Sequence, residues 1–130
     1  MRELIKEAVN QKVWALVGAT NDSSKYGNII FKNMRAAGYT VYPVNPRAIT
    51  VEGEKAYPDL ASLPEKPAVV DIVIPPSLVS PILDEAAKLG IKTVWLQPGA
   101  ESQAAIDHAG ELGLKAIYNH CAMVEKRRWN

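Results

Sequence analysis

Cysteine is nearly absent from this chain. The single Cys121 cannot form an intramolecular disulfide, so a secreted, disulfide-stapled scaffold is excluded. An excess of one charge is missing as well. The 15 Lys and Arg stand against 14 Asp and Glu, a net charge of +1, without the basic surplus that nonspecific nucleic-acid binding draws on. DNA and RNA are therefore not expected partners. No stretch approaches the roughly 18 to 20 consecutive apolar residues that cross a bilayer. The opening Met1-Arg2-Glu3 is acidic at once and lacks the apolar segment of a signal peptide. No membrane association is expected, and the cytoplasm is the expected location. Two histidines and one cysteine fall short of a zinc ligand set, so no metal site is expected. Also missing are G-x-x-x-x-G-K-[ST], G-x-S-x-G, H-E-x-x-H and Y-x-x-x-K, and with them the common hydrolase, NTPase and reductase patterns.

What is present is an ordinary globular inventory. At 130 residues, 48% apolar and 22% charged, the chain reads as one domain over residues 1–130 with enough core to fold without a structural metal. Three segments share one grammar: an amphipathic helix, a glycine, and then a β-branched strand. The first runs from Gly27 through Ile30, Met34 and Ala37 to Gly38 and into Thr40-Val41-Tyr42-Pro43-Val44. The second carries Leu78, Val79, Ile82, Leu83, Ala86, Ala87 and Leu89, then Gly90 and the strand ending Thr93-Val94-Trp95-Leu96. The third carries Ala105, Ile106, Ala109 and Leu112, then Gly113 and Lys115-Ala116-Ile117-Tyr118. Each glycine suits the left-handed position that ends a helix. Residues 2–9, with Leu4, Ile5, Ala8 and Val9 on one stripe, read as a short packing helix.

Two further runs, Val13–Val17 and Val69–Ile74, are almost wholly apolar, as strands buried on both faces of a parallel sheet are. Alternating elements of this kind predict a doubly wound parallel α/β sheet, Rossmann-like in architecture. Between Val44 and Val69 the pattern lapses, and an irregular strand or hairpin followed by a single helical turn at Asp59–Leu63 is expected. Ser23 or Ser24 is the expected cap of the first long helix, and Ser80 that of the helix containing Pro81.

In an open α/β sheet, ligands bind outside the carboxyl ends of the strands. The unusual residues fall in those loops. After the first strand, Gly18 permits a tight turn, and the small polar residues with Lys25 offer donors and positive charge at a helix N-terminus, a phosphate site. Only Gly18 and Gly27 are present there, so the G-x-G-x-x-G fingerprint fails. The second strand ends Val44-Asn45-Pro46-Arg47, without the acid that holds an NAD ribose. Arg47 instead suits an extra ribose phosphate, as in NADP or coenzyme A. His120 and Cys121 are adjacent, and adjacent side chains usually point apart, which favours a structural role over a catalytic dyad; no catalytic residue is assigned.

At Gly18-Ala19-Thr20, Tyr42-Pro43-Val44-Asn45-Pro46, Trp95-Leu96-Gln97-Pro98-Gly99-Ala100 and Asn119-His120-Cys121-Ala122-Met123, the sequence resembles the small stand-alone CoA-binding proteins. Those in turn are similar to the amino-terminal CoA-binding domain of the succinyl-CoA synthetase α subunit. The resemblance implies that Gly18, Ala19 and Thr20, with Ser23 and Lys25, surround a pyrophosphate. It implies that Val44, Asn45, Pro46 and Arg47 flank an adenosine and its 3′-phosphate, that Ile74, Pro75 and Pro76 line the path of adenine or pantetheine, and that Gln97, Gly99 and Cys121 lie near the thiol. The implied cofactor is coenzyme A or an acyl-CoA. An enzyme is not implied, because ADP-forming acyl-CoA synthetases use further domains that 130 residues are not expected to contain. Binding without transformation is thus the expected function. An NADP-binding redox enzyme or sensor stays open beside it, as do a CoA-binding partner subunit of an acyl-CoA synthetase and a homodimer.

Overall fold

Every apolar run named above becomes a strand, and every Gly-terminated stripe a helix. The computed structural model describes residues 1–129, with only the backbone described at Trp129. In chain order the elements are α1 (Arg2–Val9), β1 (Val13–Val17), α2 (Tyr26–Ala36), β2 (Thr40–Val44), β3 (Thr50–Val51), β4 (Glu54–Lys55), β5 (Val69–Ile72), a 3₁₀ turn (Pro76–Leu78), α3 (Val79–Lys88), β6 (Thr93–Leu96), α4 (Gln103–Glu111), β7 (Lys115–Ile117) and α5 (Ala122–Trp129).

The main sheet has the order β2-β1-β5-β6-β7 with every pairing parallel. From β1 the chain passes through α2 to β2 on one side, then returns past β1 to β5 on the other and steps outward to β6 and β7. The order reverses between β1 and β5, so the crevice at their carboxyl ends is the binding position this topology creates. Successive residues of β1 enter opposite cores. Trp14 and Leu16 pack with Ile5 and Val9 of α1 and with Ile30, Phe31 and Met34 of α2. Ala15 and Val17 pack with Val79, Leu83 and Ala86 of α3 and with Ala105 and Ala109 of α4. Both faces are covered, which is why the strands carry no polar alternation. Gly38, Gly90 and Gly113 all adopt the positive φ that closes a helix.

Several local expectations are corrected. Lys25, not Ser23 or Ser24, is the N-cap of α2. The Asp22 carboxylate takes both the Ser24 N–H at 3.0 Å and the Ser24 hydroxyl at 2.6 Å, and this turn holds the serines short of the helix. Ser80 caps nothing, because α3 continues directly from the 3₁₀ turn with Leu78 at its N-cap. Pro81 then falls third in the helix, where a missing N–H costs nothing. Strand β5 ends at Ile72, two residues before the expected Ile74. The expected helical turn is a tight turn closed by Asp59, whose carboxylate accepts from the N–H and hydroxyl of Ser62 at 2.9 and 2.8 Å. The expected hairpin is present as β3 and β4, joined through Glu52 and Gly53, both at positive φ as a two-residue turn demands. One helix, α5, was not expected at all.

Candidate functional site

The site is built around two glycines that touch. Gly18 follows β1 at φ +102°, and a Cβ there would lie 2.3 Å from the Val73 carbonyl oxygen. A Cβ on Gly27, in the first turn of α2, would lie 2.0 Å from the Gly18 carbonyl oxygen. Only hydrogen fits at either place. The first turn of α2 therefore rests directly on the β1 turn and on the end of β5. Gly18 frees the tight turn and Gly27 lets the helix close on the strand, two roles that a dinucleotide fingerprint also gives to glycine.

This docking leaves the start of α2 open. No side chain caps it and its first turn holds no acidic residue. The N–H groups of Asn28 and Ile29 reach back to the Lys25 carbonyl. Those of Tyr26 and Gly27 have no acceptor among the described residues, so they and the positive end of the helix dipole are available to an anion. The loop in front is held from two sides. Asn21 donates to the Thr50 carbonyl at 2.8 Å and accepts from the Glu52 N–H at 2.8 Å. Buried Asn28 donates to the Thr20 carbonyl at 2.8 Å and to the Glu52 carboxylate at 3.0 Å. The small hairpin thus clamps the loop between β1 and α2. On the β2 side, Asn45 donates to the Ala19 carbonyl at 2.9 Å while its own oxygen accepts from the Arg47 N–H at 2.8 Å, joining the two loops.

A pocket of about 370 Å³ opens over the carboxyl ends of β1, β5 and β6. Of the residues expected at the site, Gly18, Lys25, Ile74, Pro75 and Gly99 line it. Val44 and Ala19 are buried, and Thr20 and Asn45 are half-buried, all outside its lining. Ser23, Pro46, Arg47 and Pro76 are exposed and outside its lining. Arg47 makes no ion pair among the described residues.

Gln97 and Cys121 are not part of the pocket's lining. Gln97 is fully buried, donates to the Asp71 carboxyl at 2.9 Å, and accepts from the Ala122 N–H at 3.4 Å, so it fastens the start of α5 to the sheet. Burial pushes Asp71 up to about 7, partly offset by the Gln97 hydrogen bond. Cys121 Sγ lies 3.2 Å from the Tyr26 hydroxyl, and Tyr26 lines the pocket. That contact, with burial behind it, pushes the phenol up to about 12, so it stays protonated. His120 turns the other way, with Nδ1 3.4 Å from Glu125.

Several residues escaped the reading of the sequence, Val73, Pro98 and Ala100 of the pocket lining among them. Tyr26 and Gly27 form part of the pocket wall. The signal for Gly27 was its place in a helix, where glycine is unfavourable unless a close approach needs it. Asp71 interrupts an otherwise apolar buried strand, a signal that could have marked it.

The model of a family described as CoA binding domain matches residues 12–127. The α subunit of acetate–CoA ligase [ADP-forming] II from Pyrococcus furiosus is 31% identical over 123 residues, 86% of this chain and 27% of that subunit. A hypothetical protein from Pyrococcus horikoshii OT3 superposes with a TM-score of 0.92 at 38% identity, covering 99% of this chain and 92% of that one. The dinucleotide-forming acetyl-coenzyme A synthetase 1 of Candidatus Korarchaeum cryptofilum, in complex with phosphate and ADP, gives a TM-score of 0.76 at 30% identity over 91% of this chain. The chain spans only 27% of that synthetase, as of the ligase subunit.

Proposed function

The chain belongs to the CoA binding domain family, and from that premise we propose that its crevice binds coenzyme A or an acyl-CoA and does not transform it. The reading rests on one contact, that of Gly18 with Gly27, which sets the uncapped start of α2 at the point where the strand order reverses. A pyrophosphate there meets the backbone of Gly18, Ala19 and Thr20, with Ser23 and Lys25 beside it. Val44, Asn45, Pro46 and Arg47 flank the adenosine and its 3′-phosphate. Ile74, Pro75 and Pro76 line the path of adenine or pantetheine, and Gln97, Gly99 and Cys121 stand toward the thiol. The pocket is near the small end of ligand sites, roughly 300–1,000 Å³, so a ligand of this length extends beyond it across the loops. Binding alone is favoured because the pocket lining offers only Lys25 and Tyr26 as ionisable side chains, and Tyr26 holds its proton.

Calorimetry tests the reading. CoA binds about tenfold more tightly than dephospho-CoA, the size of one charge-assisted contact of about 1.4 kcal/mol, and Arg47→Ala abolishes that preference. No measurable heat with CoA, acetyl-CoA or longer thioesters refutes it, and saturable NADPH binding in preference to CoA replaces it with the redox reading. A second reading follows from the likeness to one part of an acetate–CoA ligase α subunit: the domain lends its CoA site to a synthetase-type partner. Co-purification with acyl-CoA synthetase activity supports it, and a monomer without such activity counts against it.

A further inference from the structure

One side chain of the pocket lining, Tyr26, reaches across to the start of α5. Tyr26 begins α2, and its backbone cannot retreat because the next residue, Gly27, is already in contact with Gly18. Its hydroxyl reaches Cys121 Sγ at 3.2 Å, spanning the gap between the starts of α2 and α5. The Cys121 end is fixed as well. Its carbonyl accepts from the N–H groups of Val124 and Glu125, both at 3.0 Å, and the preceding His120 carbonyl accepts from Trp95 Nε1 at 2.8 Å.

Behind this strap the interior is filled. Gln97, Trp95 and Ala122 are completely buried and Asp71 is 1% exposed. Gln97 satisfies both Asp71 and the start of α5, and no buried side-chain polar atom among the described residues lacks a partner. An apolar chain entering there would have to displace a satisfied polar cluster. The outer face of the strap is free, however, since Tyr26 is 41% exposed. The ring is thus a wall exposed on its outer face with a filled interior behind it.

Resting on the CoA reading, we propose that Tyr26, held by Cys121, is the specificity-determining residue at the thiol end of the pocket, admitting free CoA and short acyl thioesters and turning away longer acyl chains. A longer chain has to swing the ring outward and break its contact with the thiol. Discrimination is then graded rather than absolute, because a single neutral hydrogen bond and a ring contact together change affinity by roughly ten- to a hundredfold.

The experiment is a calorimetric comparison of CoA, acetyl-CoA and hexanoyl-CoA on the wild-type chain and on Tyr26→Phe, Tyr26→Ala and Cys121→Ala. The quantity read is the affinity ratio between ligands within one variant, so a variant that folds poorly does not distort it. The wild type binds CoA and acetyl-CoA at least about tenfold more tightly than hexanoyl-CoA. Tyr26→Ala narrows that ratio by about five- to tenfold, and Tyr26→Phe and Cys121→Ala, which remove the contact but keep most of the wall, narrow it by a smaller factor. Equal affinity of the wild type for CoA and hexanoyl-CoA overturns the proposal, as does a wild-type ratio that survives unchanged in Tyr26→Ala. Absence of any CoA binding by the wild type overturns the reading beneath it instead.

Discussion

Replacing Asp71 by Asn isolates the cost of a buried carboxyl beneath the pocket. Asp71 is 1% exposed, and its pKa is raised from 3.8 to about 7, chiefly because burial disfavours the charged form. The folded state therefore holds this proton more tightly than the unfolded chain. Stability contributed by the protonated group is fully present below about pH 4 and drains away as pH rises to about 7, above which the folded state carries the charge and the loss is complete. Moving the titration from 3.8 to about 7 corresponds to at most about 4 kcal/mol across that window. Asn is isosteric, keeps an oxygen that can accept from Gln97 Nε2, and does not titrate. The assay is urea unfolding of both proteins at a series of pH values from 4 to 8. The stability of Asp71→Asn relative to wild type climbs from pH 4 to about 7 and levels off above it, by about 2–4 kcal/mol in total. Groups common to both proteins cancel in that difference. A difference that stays flat across the series would show that Asp71 does not titrate there and that its burial is not the dominant influence on it.

The two classes of glycine separate cleanly. Gly27→Ala drives a methyl group into the Gly18 carbonyl and costs about 3 kcal/mol or more in thermal unfolding, whereas Gly110→Ala, in α4 with nothing within 4 Å, gains about 0.5–1 kcal/mol. If Gly27→Ala unfolds like wild type, the close approach is not a constraint. Asn28→Ala removes the donor shared by the Thr20 carbonyl and Glu52 and costs about 2–3 kcal/mol by chemical denaturation; an unchanged midpoint would mean the hairpin does not hold the loop. Asn45→Ala unties the β2 loop from Ala19 and weakens CoA binding by about five- to tenfold, and calorimetry showing wild-type affinity would separate that tether from the site.

Local pattern was enough for the architecture. Continuous apolar runs such as Val13–Val17 could be stable only between two layers, and helical stripes ending at Gly38, Gly90 and Gly113 supplied the layers. Once the strands are parallel, all their carboxyl ends lie together, so the loops that form the site could be named before their positions were known. Of the residues that the resemblance implied, Gly18, Lys25, Ile74, Pro75 and Gly99 line the pocket. Helix α5 was illegible because its charged run Glu125-Lys126-Arg127-Arg128 resembles a solvated tail, although Glu125 and Lys126 are buried. The start of α2 falls at Lys25 because the carboxylate of Asp22 competes for Ser24, a contest that residue type alone does not decide. The chain by itself thus determined a doubly wound sheet and the rim on which a ligand would settle, because both follow from periodicity. The tertiary structure decided what meets across that rim: Gly18 against Gly27, Asp71 against Gln97, and Tyr26 against Cys121 from 95 residues away. Such meetings depend on which strands become neighbours, and strand order is set by the global packing of helices on the sheet rather than by any single stretch of sequence.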